Sequence, residues 1–436
     1  MTVERRFTRA VIIGAGFSGI ATAYPGCGVD VPAVLYSLSF APNPNFSRLF
    51  PDQEEILDYL GKVAEDYDVP SHIEFGASWE SAHWQEASKT WLLKLRMVES
   101  GETIEHECKV LIAAVGRLVH PKPLEISGVQ DFKGQIIHSA EWRRDVTLKD
   151  KNVTPQYYIP KPLDHWRITN RAKLVFRYVP GVFKLLRVLV FVYLEWTFRQ
   201  FYLDESATKL RKRAQLRSKR YVEKTAPKKY WELLSPKYAI GCKRRILDPG
   251  YLKSLHRENV ELTDDTIVSL SESDLITKSG RHYPTDVIIV ANGFDAFEYH
   301  MTVVGRQGQT LEDHWRGFGG MEAYKTTALA DFPNFFLLSG PNSVGGHNSS
   351  LFSIERVINL ILKIAKPVLT GEIDYVEVKR SAEKKWTEDA QAALKDRVYS
   401  DNCATVGMPF NCSPVEIPIS NVALVLRGSE DPLELL

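Results

Sequence analysis

This sequence contains few cysteines and carries almost no net charge. Its 436 residues include five cysteines, which are scattered and show no CxxC or other metal-ligand spacing. Such a set predicts no structural disulfide and no metal site, and it is typical of a reducing compartment such as the cytoplasm. The formal net charge is +1, so no overall field favours nucleic acid as a partner.

Long apolar runs are also missing. The first run ends in Gly14 and Gly16 and lacks the cleavage site of a signal peptide. Another, VLVFVYL at 188–194, is much shorter than the roughly 20 apolar residues of a membrane-spanning helix. We therefore expect no spanning segment. We interpret 188–194 as part of a buried helix, and the alternative is a peripheral membrane surface or a surface for a hydrophobic substrate.

Strand and helix patterns alternate along the chain. Strand patterns lie at 6–13, 89–98, 104–115, 287–290 and 335–339, and helix patterns at 53–67, 178–202, 209–229 and 354–365, with a loop-rich stretch at 122–151. The alternation predicts an α/β fold with a largely parallel sheet. The basic helix at 209–229 is interpreted as a solvated face, with phosphate binding as the alternative.

A glycine-rich turn directly follows the first predicted strand. Gly14, Gly16 and Gly19, together with Phe17 and Ser18, form the pattern GxGxxG. In a dinucleotide-binding unit the first glycine allows the tight turn, the second lets the pyrophosphate approach, and the third permits close helix–strand packing. The pattern therefore predicts dinucleotide binding.

The unit that should follow this turn is incomplete. The helix predicted at 18–23 is interrupted at 24–28, and no second strand ending in an acidic residue follows. Asp30 lies at the distance expected for the ribose-binding acid, but it falls in a predicted loop. The βαβ unit is therefore not completed by this sequence.

A second motif lies at 132–142. Its fixed positions are Phe132, Gly134, His138 and Trp142. They match FxGxxxHxxxW, so this stretch resembles the fingerprint of the Baeyer–Villiger monooxygenases, within the class B flavoprotein monooxygenases. Without the resemblance, a histidine in a predicted loop would be interpreted as structural.

Further stretches resemble the same family at 24–60, 236–247, 286–296 and 332–343, and the likeness covers most of 7–365. It implies a Rossmann-like FAD-binding domain at 1–150 and 286–400. It also implies a second, truncated NADP-binding-like domain with a helical insertion at 151–285, and a divergent tail at 401–436.

The resemblance also implies an activity. In this family, with FAD and NADPH as cofactors, one atom of O₂ is inserted beside a ketone carbonyl to give an ester or lactone. Arg244 is implied as the fixed cation that stabilises developing negative charge, a role that suits arginine. Asp30 would pair with Arg244, and Lys243 would contact NADPH. The implied substrate is a small hydrophobic ketone, with a place in secondary-metabolite biosynthesis of the polyketide type.

The cofactor contacts carried over from the family form a larger set. They are Gly14, Gly16, Phe17, Ser18, Gly19, Asp30, Tyr36, Gly293, Phe294 and Asn342 for FAD, and Lys243 and Thr154 for NADPH.

Two departures from the family set limits on these expectations. The family carries a stretch with the ribose-binding acid where this chain passes directly from Ala23 to Tyr24. It also carries a second GxGxxG, for NADPH, where this chain passes from Val153 to Thr154, and Val153 replaces an arginine that should contact phosphate. Omitted exons or internal deletions would explain gaps with good matches on both sides.

The departures leave two alternatives open. One is an N- or S-oxygenating flavin monooxygenase, against which Trp142 and the GCKR stretch ending at Arg244 argue. The other is a catalytically impaired or non-enzymatic relic, because both gaps remove parts that bind cofactors. A relic would have lost sheet strands and would expose unpaired edges.

Overall fold

The computed structural model describes residues 5–14, 28–116, 119–142, 153–154, 167–235, 239–241, 248, 250–294, 302–343, 348–398 and 423–426. The strands are β1 Arg5–Ile13, β2 Ala77–Gln85, β3 Thr90–Met97, β4 Thr103–Ala113, β5 Gln135–His138, β6 Val153–Thr154, β7 Val260–Thr263, β8 Ile267–Leu270, β9 Asp274–Thr277, β10 His282–Pro284, β11 Val287–Val290, β12 Thr302–Val304, β13 Phe335–Leu337 and β14 Ala423–Leu426.

The helices alternate with these strands. They are α1 Gln53–Asp66, α2 Asn170–Tyr178, α3 Val182–Thr197, α4 Glu205–Thr225, α5 Trp231–Leu234, α6 Tyr251–Ser254, α7 Leu311–Phe318, α8 Ser350–Thr370 and α9 Arg380–Lys395. Short 3₁₀ helices lie at Ala33–Leu35, Pro70–His72, Ser139–Glu141, Phe198–Phe201, Lys228–Tyr230 and Arg306–Gly308. The expected α/β fold is confirmed.

The first sheet has the strand order β1-β4-β3-β2-β12, and β13 also pairs with β4. Both β1 and β13 run parallel to β4, with Ile13 and Leu337 opposite Ala113. The carboxyl ends of these three strands therefore lie at one edge of the sheet, where open α/β sheets bind ligands. Trp91 and Phe335 are both almost fully buried in the core beneath it.

β1 lies at the edge of this sheet in the described part of the chain. It pairs there with β4 alone. Phe7 is 56% exposed and Ile12 is 60% exposed, although parallel strands are normally covered on both faces. In a complete βαβ unit the strand after the glycine turn would lie in the same sheet. We propose that this exposed edge is where the second strand of a complete unit would pair.

The second sheet has the order β5-β11-β6-β14-β7. β11 runs parallel to both β5 and β6. The tail strand β14 lies between β6 and β7 and is antiparallel to both. A strand from the divergent tail thus fills the interior of this sheet. A third sheet, with the order β10-β9-β8, is antiparallel.

Two chain segments cross side by side between the first and second sheets. Pro121 forms an antiparallel bridge with Phe294, and the Lys122 N–H donates to the Gly293 carbonyl at 3.0 Å. The Asn292 side chain donates to the carbonyls of Lys122 and Pro123 at 3.1 and 3.0 Å. Since β5 follows the first of these two segments and β11 directly precedes the second, we propose that the domain boundaries lie here rather than at 150 and 286.

Most of the predicted elements that lie in the described residues are confirmed. The stretch 122–151 is loop-rich over its described residues 122–142, as expected, and β5 is a four-residue strand within it. The helix predicted at 18–23 lies outside the described residues. The helix predicted at 178–202 is interrupted at Gly181, where the backbone has a φ of 80°.

The interpretation of 188–194 as buried is wrong for most of its side chains. Leu194 is 7% exposed, but Val188, Leu189, Val192 and Tyr193 are 50–61% exposed. A short all-apolar run cannot show which of its faces another element covers. In the described residues, the structure contains no helix whose length and apolar content would suffice to cross a membrane.

Candidate active site

The predicted glycine turn begins where β1 ends against β4. Gly14 has a φ of 100°, and a Cβ there would lie 2.5 Å from the Ala114 carbonyl oxygen. Only glycine satisfies both the backbone conformation and the close approach. Gly14 thus stands where the sequence predicted it. Gly16, Phe17, Ser18 and Gly19 lie outside the described residues.

The loop after β13 reaches the same edge of the sheet. The Leu338 N–H donates to the Ala113 carbonyl at 2.9 Å, and the chain then turns back at Gly340. Ser339 and Asn342 both adopt left-handed backbone conformations, with φ of 58° and 61°. Asn342 is half-buried. The predicted positions Gly14 and Asn342 therefore follow two strands that run parallel to the same neighbour.

The next residue offers an unsatisfied group. The Ser343 hydroxyl is buried and has no hydrogen-bond partner within the described structure. A buried polar group without a partner is unfavourable by about 1–3 kcal/mol. A ligand with polar atoms that bound at this strand-end loop could supply the missing hydrogen bond.

Phe132 and Gly134 of the fingerprint hold β5 against β11. Phe132 is buried among Leu275, Tyr283 and other core side chains. A Cβ at Gly134 would lie 2.4 Å from both the Asp286 carbonyl oxygen and the Phe132 ring. These two fingerprint positions are therefore explained by packing alone.

His138 holds the crossing segment in place. Its Nδ1 accepts from the Ala140 N–H at 3.1 Å, and its Nε2 lies 3.1 Å from the Gly293 carbonyl oxygen. Since Nδ1 accepts, Nε2 must carry the proton and donate to Gly293. The ring also makes an edge contact with Phe294 at a centroid distance of 5.5 Å. The sequence singled out all three of His138, Gly293 and Phe294, and the structure brings them together.

Gly293 leaves space in front of this arrangement. Its φ is 90°, and no atom lies within 4 Å of the position that a Cβ would take. The open space at a left-handed glycine after β11 is suited to the close approach of a ligand to the backbone. Trp142, the last fingerprint position, is half-buried and packs against the core cluster that contains Val222 and Tyr230.

The segment that contains Asp30 and Tyr36 packs beneath α3. Tyr36 is half-buried and contacts the clusters around Leu35 and Phe46. Asp30 is exposed, and Arg244, its predicted partner, lies outside the described residues together with Lys243. The backbone of Thr154 pairs with Ile288 in β6.

Charged side chains that the sequence did not identify shape this segment. The Arg187 guanidinium donates to the carbonyls of Val34 and Ser37 at 2.9 and 2.6 Å and to the Ser37 hydroxyl at 2.8 Å. Glu355 Oε1 accepts from the backbone N–H and the hydroxyl of Ser39, both at 2.8 Å. Burial lowers the pKa of Arg187, an effect that the Glu355 carboxylate opposes. No motif signals these residues, because their partners are distant in sequence.

Comparisons with known proteins relate this chain to monooxygenases. No protein-family model matches the chain. A Baeyer–Villiger monooxygenase of Pseudomonas aeruginosa is 29% identical over 455 residues, which cover 91% of this chain and 84% of the relative. An uncharacterized monooxygenase of Mycobacterium tuberculosis strain H37Rv is 30% identical over 411 residues, which cover 87% of this chain and 80% of the relative.

A solved structure shows the same fold. The cyclohexanone monooxygenase of Rhodococcus sp. Phi1, bound to NADP⁺, matches with a TM-score of 0.77 at 22% identity, and the match covers 91% of each chain. The fold, the fingerprint and the relatives together define a flavin-dependent monooxygenase. Within that class, the chain belongs to the Baeyer–Villiger monooxygenase family.

Proposed function

We propose that this enzyme inserts one oxygen atom of O₂ beside the carbonyl of a hydrophobic ketone, with FAD and NADPH as cofactors. The observation that carries the proposal is the contact of His138 with Gly293 and Phe294 at the crossing between the sheets. This contact supports the proposal, because it joins a fingerprint residue to the segment that follows β11.

The described residues fit FAD on one side of its site. A ligand could approach the backbone closely at Gly14 and Gly293. Its polar atoms could bond to the Ser343 hydroxyl, which has no partner in the described structure. Asn342 would lie beside it. When bound, reduced FAD supplies the oxygen-transfer chemistry. We propose that Arg244 neutralises the charge that develops at the reacting carbonyl and that Asp30 orients Arg244.

NADPH binding rests on family membership rather than on this geometry. After β6 the described residues contain no glycine turn that could hold a second pyrophosphate. Lys243 and Thr154 remain the proposed contacts. A cytoplasmic location, which the cysteine usage supports, and a role in secondary metabolism are likewise proposals.

Product analysis tests this proposal. The purified enzyme is supplied with FAD, NADPH and ¹⁸O₂ and offered cyclohexanone, a polycyclic ketone and an amine side by side. We expect an ester or lactone with one ¹⁸O atom from a ketone, and no N-oxide. Oxygenation of the amine alone would contradict the proposal and favour the N-oxygenating alternative.

Arg244 and its neighbour provide a matched pair for this assay. Arg244→Ala should lower ester formation by at least about a hundredfold, the usual loss on removal of a charge-stabilising group. Arg245→Ala removes the same charge from the next position and should retain most of the activity. Equal losses in both variants would show that the basic stretch acts only through its net charge.

One observation favours a second candidate, a chain with impaired cofactor binding. The exposed edge of β1 lies where the ribose-binding strand of a complete unit would pair. The FAD content of the purified protein separates the two candidates. A stoichiometry near one per chain supports the enzyme, and protein without flavin that cannot be reconstituted supports the relic.

A further inference from the structure

α2 and α3 form a helical hairpin whose contacts with the rest of the described residues lie on one side. From α3, Phe183 and Leu194 are buried against Val34 and Leu35. The Phe191 ring contacts Phe352 of α8 at a centroid distance of 4.7 Å. Together with Arg187, these side chains form the inner face of α3, which holds the helix on the rest of the protein.

The opposite face of α3 is equally apolar but exposed. Leu185 and Leu189 are both 58% exposed, Tyr193 is 61% exposed and Trp196 is 56% exposed. These positions recur at the spacing of one helix face. α2 and the turn after it extend this surface. The whole outer surface comprises Leu174, Val175, Tyr178, Val179, Leu185, Val188, Leu189, Val192, Tyr193 and Trp196.

A helix that is apolar on all sides is expected to be buried, either in a protein core or in a membrane. Within the described residues, the protein covers the helix on its inner face only. Ten large apolar side chains on one hairpin exceed what scattered surface residues explain, and contiguous patches of this kind mark interaction sites.

The charge of the hairpin indicates the partner. Residues 167–202 contain seven lysines and arginines and one acidic residue, so 7 − 1 gives a net charge of +6, although the whole chain carries only +1. Arg171, Arg177, Lys184 and Arg199 are exposed. Apolar side chains combined with surrounding cations are typical of helices that lie in the interface of anionic membranes.

We propose that the α2–α3 hairpin docks on the surface of an anionic lipid membrane, with its outer face between the headgroups and the acyl chains. α3 has 16 residues and lies along the surface rather than across the bilayer. The inner face keeps its contacts with the segment around Leu35, so docking requires no change in the fold.

Charge argues against a second copy of the chain on the same surface. Two copies would bring together two 167–202 segments with a net charge of +6 each, and like charges across an interface are unfavourable. An anionic membrane satisfies both the apolar side chains and the cations. The proposal is independent of the proposed reaction, because its test measures binding alone.

Vesicle flotation with the full chain tests the proposal. The protein is mixed with vesicles of phosphatidylcholine alone or of phosphatidylcholine with phosphatidylglycerol. We expect flotation with the anionic vesicles, weaker flotation with the neutral ones, and a loss of binding in high salt. No flotation with either vesicle would overturn the proposal.

Variants assign the binding to the hairpin. Leu185→Gln with Leu189→Gln should reduce the floated fraction at least about tenfold, since two apolar side chains no longer enter the bilayer. The matched control is Ile358→Gln with Leu362→Gln on α8, an exposed apolar pair of the same spacing (37% and 51% exposed). Circular dichroism confirms that each variant is folded.

The results distinguish the other occupants. Equal losses in the two double variants would show non-specific adsorption and overturn the proposal. A concentration-dependent dimer in size-exclusion chromatography that Leu185→Gln with Leu189→Gln abolishes, without flotation of the parent protein, would assign the surface to a second copy. Arg171→Gln with Lys184→Gln should weaken binding to anionic vesicles and leave binding to neutral vesicles unchanged.

Discussion

The fingerprint residues of this protein act by holding segments together. Phe132 fills a core, Gly134 permits β5 and β11 to approach, and His138 bonds to Gly293 at the crossing. None of these contacts requires chemistry at the imidazole. Their roles explain why the motif has this spacing, because each position touches a different part of the same junction.

Gly134→Ala tests the close approach at this junction. The new Cβ would lie 2.4 Å from the Asp286 carbonyl and the Phe132 ring, so the backbone must move. We expect a loss of about 1–3 kcal/mol in the free energy of unfolding, measured in urea.

A glycine in α1 provides the control. Gly61 lies within the helix, and a Cβ there would meet no atom within 4 Å. Gly61→Ala should therefore stabilise the protein by about 0.5–1 kcal/mol. Equal effects of the two substitutions would contradict the packing account of the fingerprint.

A cluster of buried titratable side chains lies where α7 contacts α9. His314, Glu322 and Glu383 are all at most 2% exposed. His314 Nε2 lies 3.0 Å from Glu383 Oε1, and Glu383 Oε2 accepts from the Ala330 N–H at 2.8 Å. Burial raises the pKa of Glu322 from 4.5 to about 7, and the Glu383 carboxylate adds to the rise.

This shift predicts a pH dependence. Between pH 4.5 and 7 the unfolded chain releases the Glu322 proton while the folded protein retains it. The contribution of Glu322 to the free energy of unfolding is therefore fully present below pH 4.5. It is lost as the pH rises from 4.5 through 7, and the total loss is about 3 kcal/mol. Glu322→Gln should show a flatter profile of unfolding free energy against pH.

Glu312→Gln is the control for this experiment, because Glu312 is 82% exposed in α7. It should reproduce the pH profile of the parent protein. A parent profile identical to that of Glu322→Gln would show that Glu322 titrates normally.

At the scale of the residue, the sequence could predict which positions need an unusual backbone conformation and which residues form the fingerprint. Gly14, Gly293 and Asn342 all adopt the positive φ that turns at strand ends use. It could not predict that His138 contacts Gly293, or that Arg187 holds the segment around Ser37, because these pairs meet only through the sheet topology.

At the scale of the element, β1 is an edge strand in the described part of the chain. A parallel strand with exposed Phe7 and Ile12 is a site for edge-to-edge association. Ile12→Lys should reduce self-association in concentration-dependent light scattering and change the unfolding free energy by less than about 0.5 kcal/mol.

Val98→Lys is the matched control for the β1 edge. Val98 is 70% exposed in the turn after β3, so its replacement should leave association unchanged. Loss of folding in Ile12→Lys would mean that Ile12 is covered in solution, and the account of the edge would be wrong.

Among the described residues, apolar patterning predicted five of the 14 strands (β1, β3, β4, β11 and β13) and four of the nine helices (α1, α3, α4 and α8). It missed what tertiary contacts decide. The continuous runs of β4 and β11 indicate buried strands, since such strands are covered on both faces. α3 has the same kind of run, yet only its inner face is covered. The pairing of β14 with β7 depends on residues far apart in the chain, and no local pattern marks it.

At the scale of the molecule, two sheets are joined by the paired segments around Lys122 and Gly293. The first sheet presents the strand ends that suit FAD. In the second, the tail strand β14 occupies an interior position. The fold matches that of the cyclohexanone monooxygenase structure, and we propose that both nucleotide units of this chain are shortened.

Anaerobic reduction of the bound flavin tests the central claim most directly. The protein is purified, saturated with FAD and mixed with NADPH in the absence of oxygen while the flavin absorbance is recorded. As a working monooxygenase of this family, the chain should lose the absorbance of oxidised flavin with one equivalent of NADPH and regain it when O₂ is admitted. Flavin that binds but stays oxidised with NADPH would contradict the proposed NADPH-dependent function for this chain.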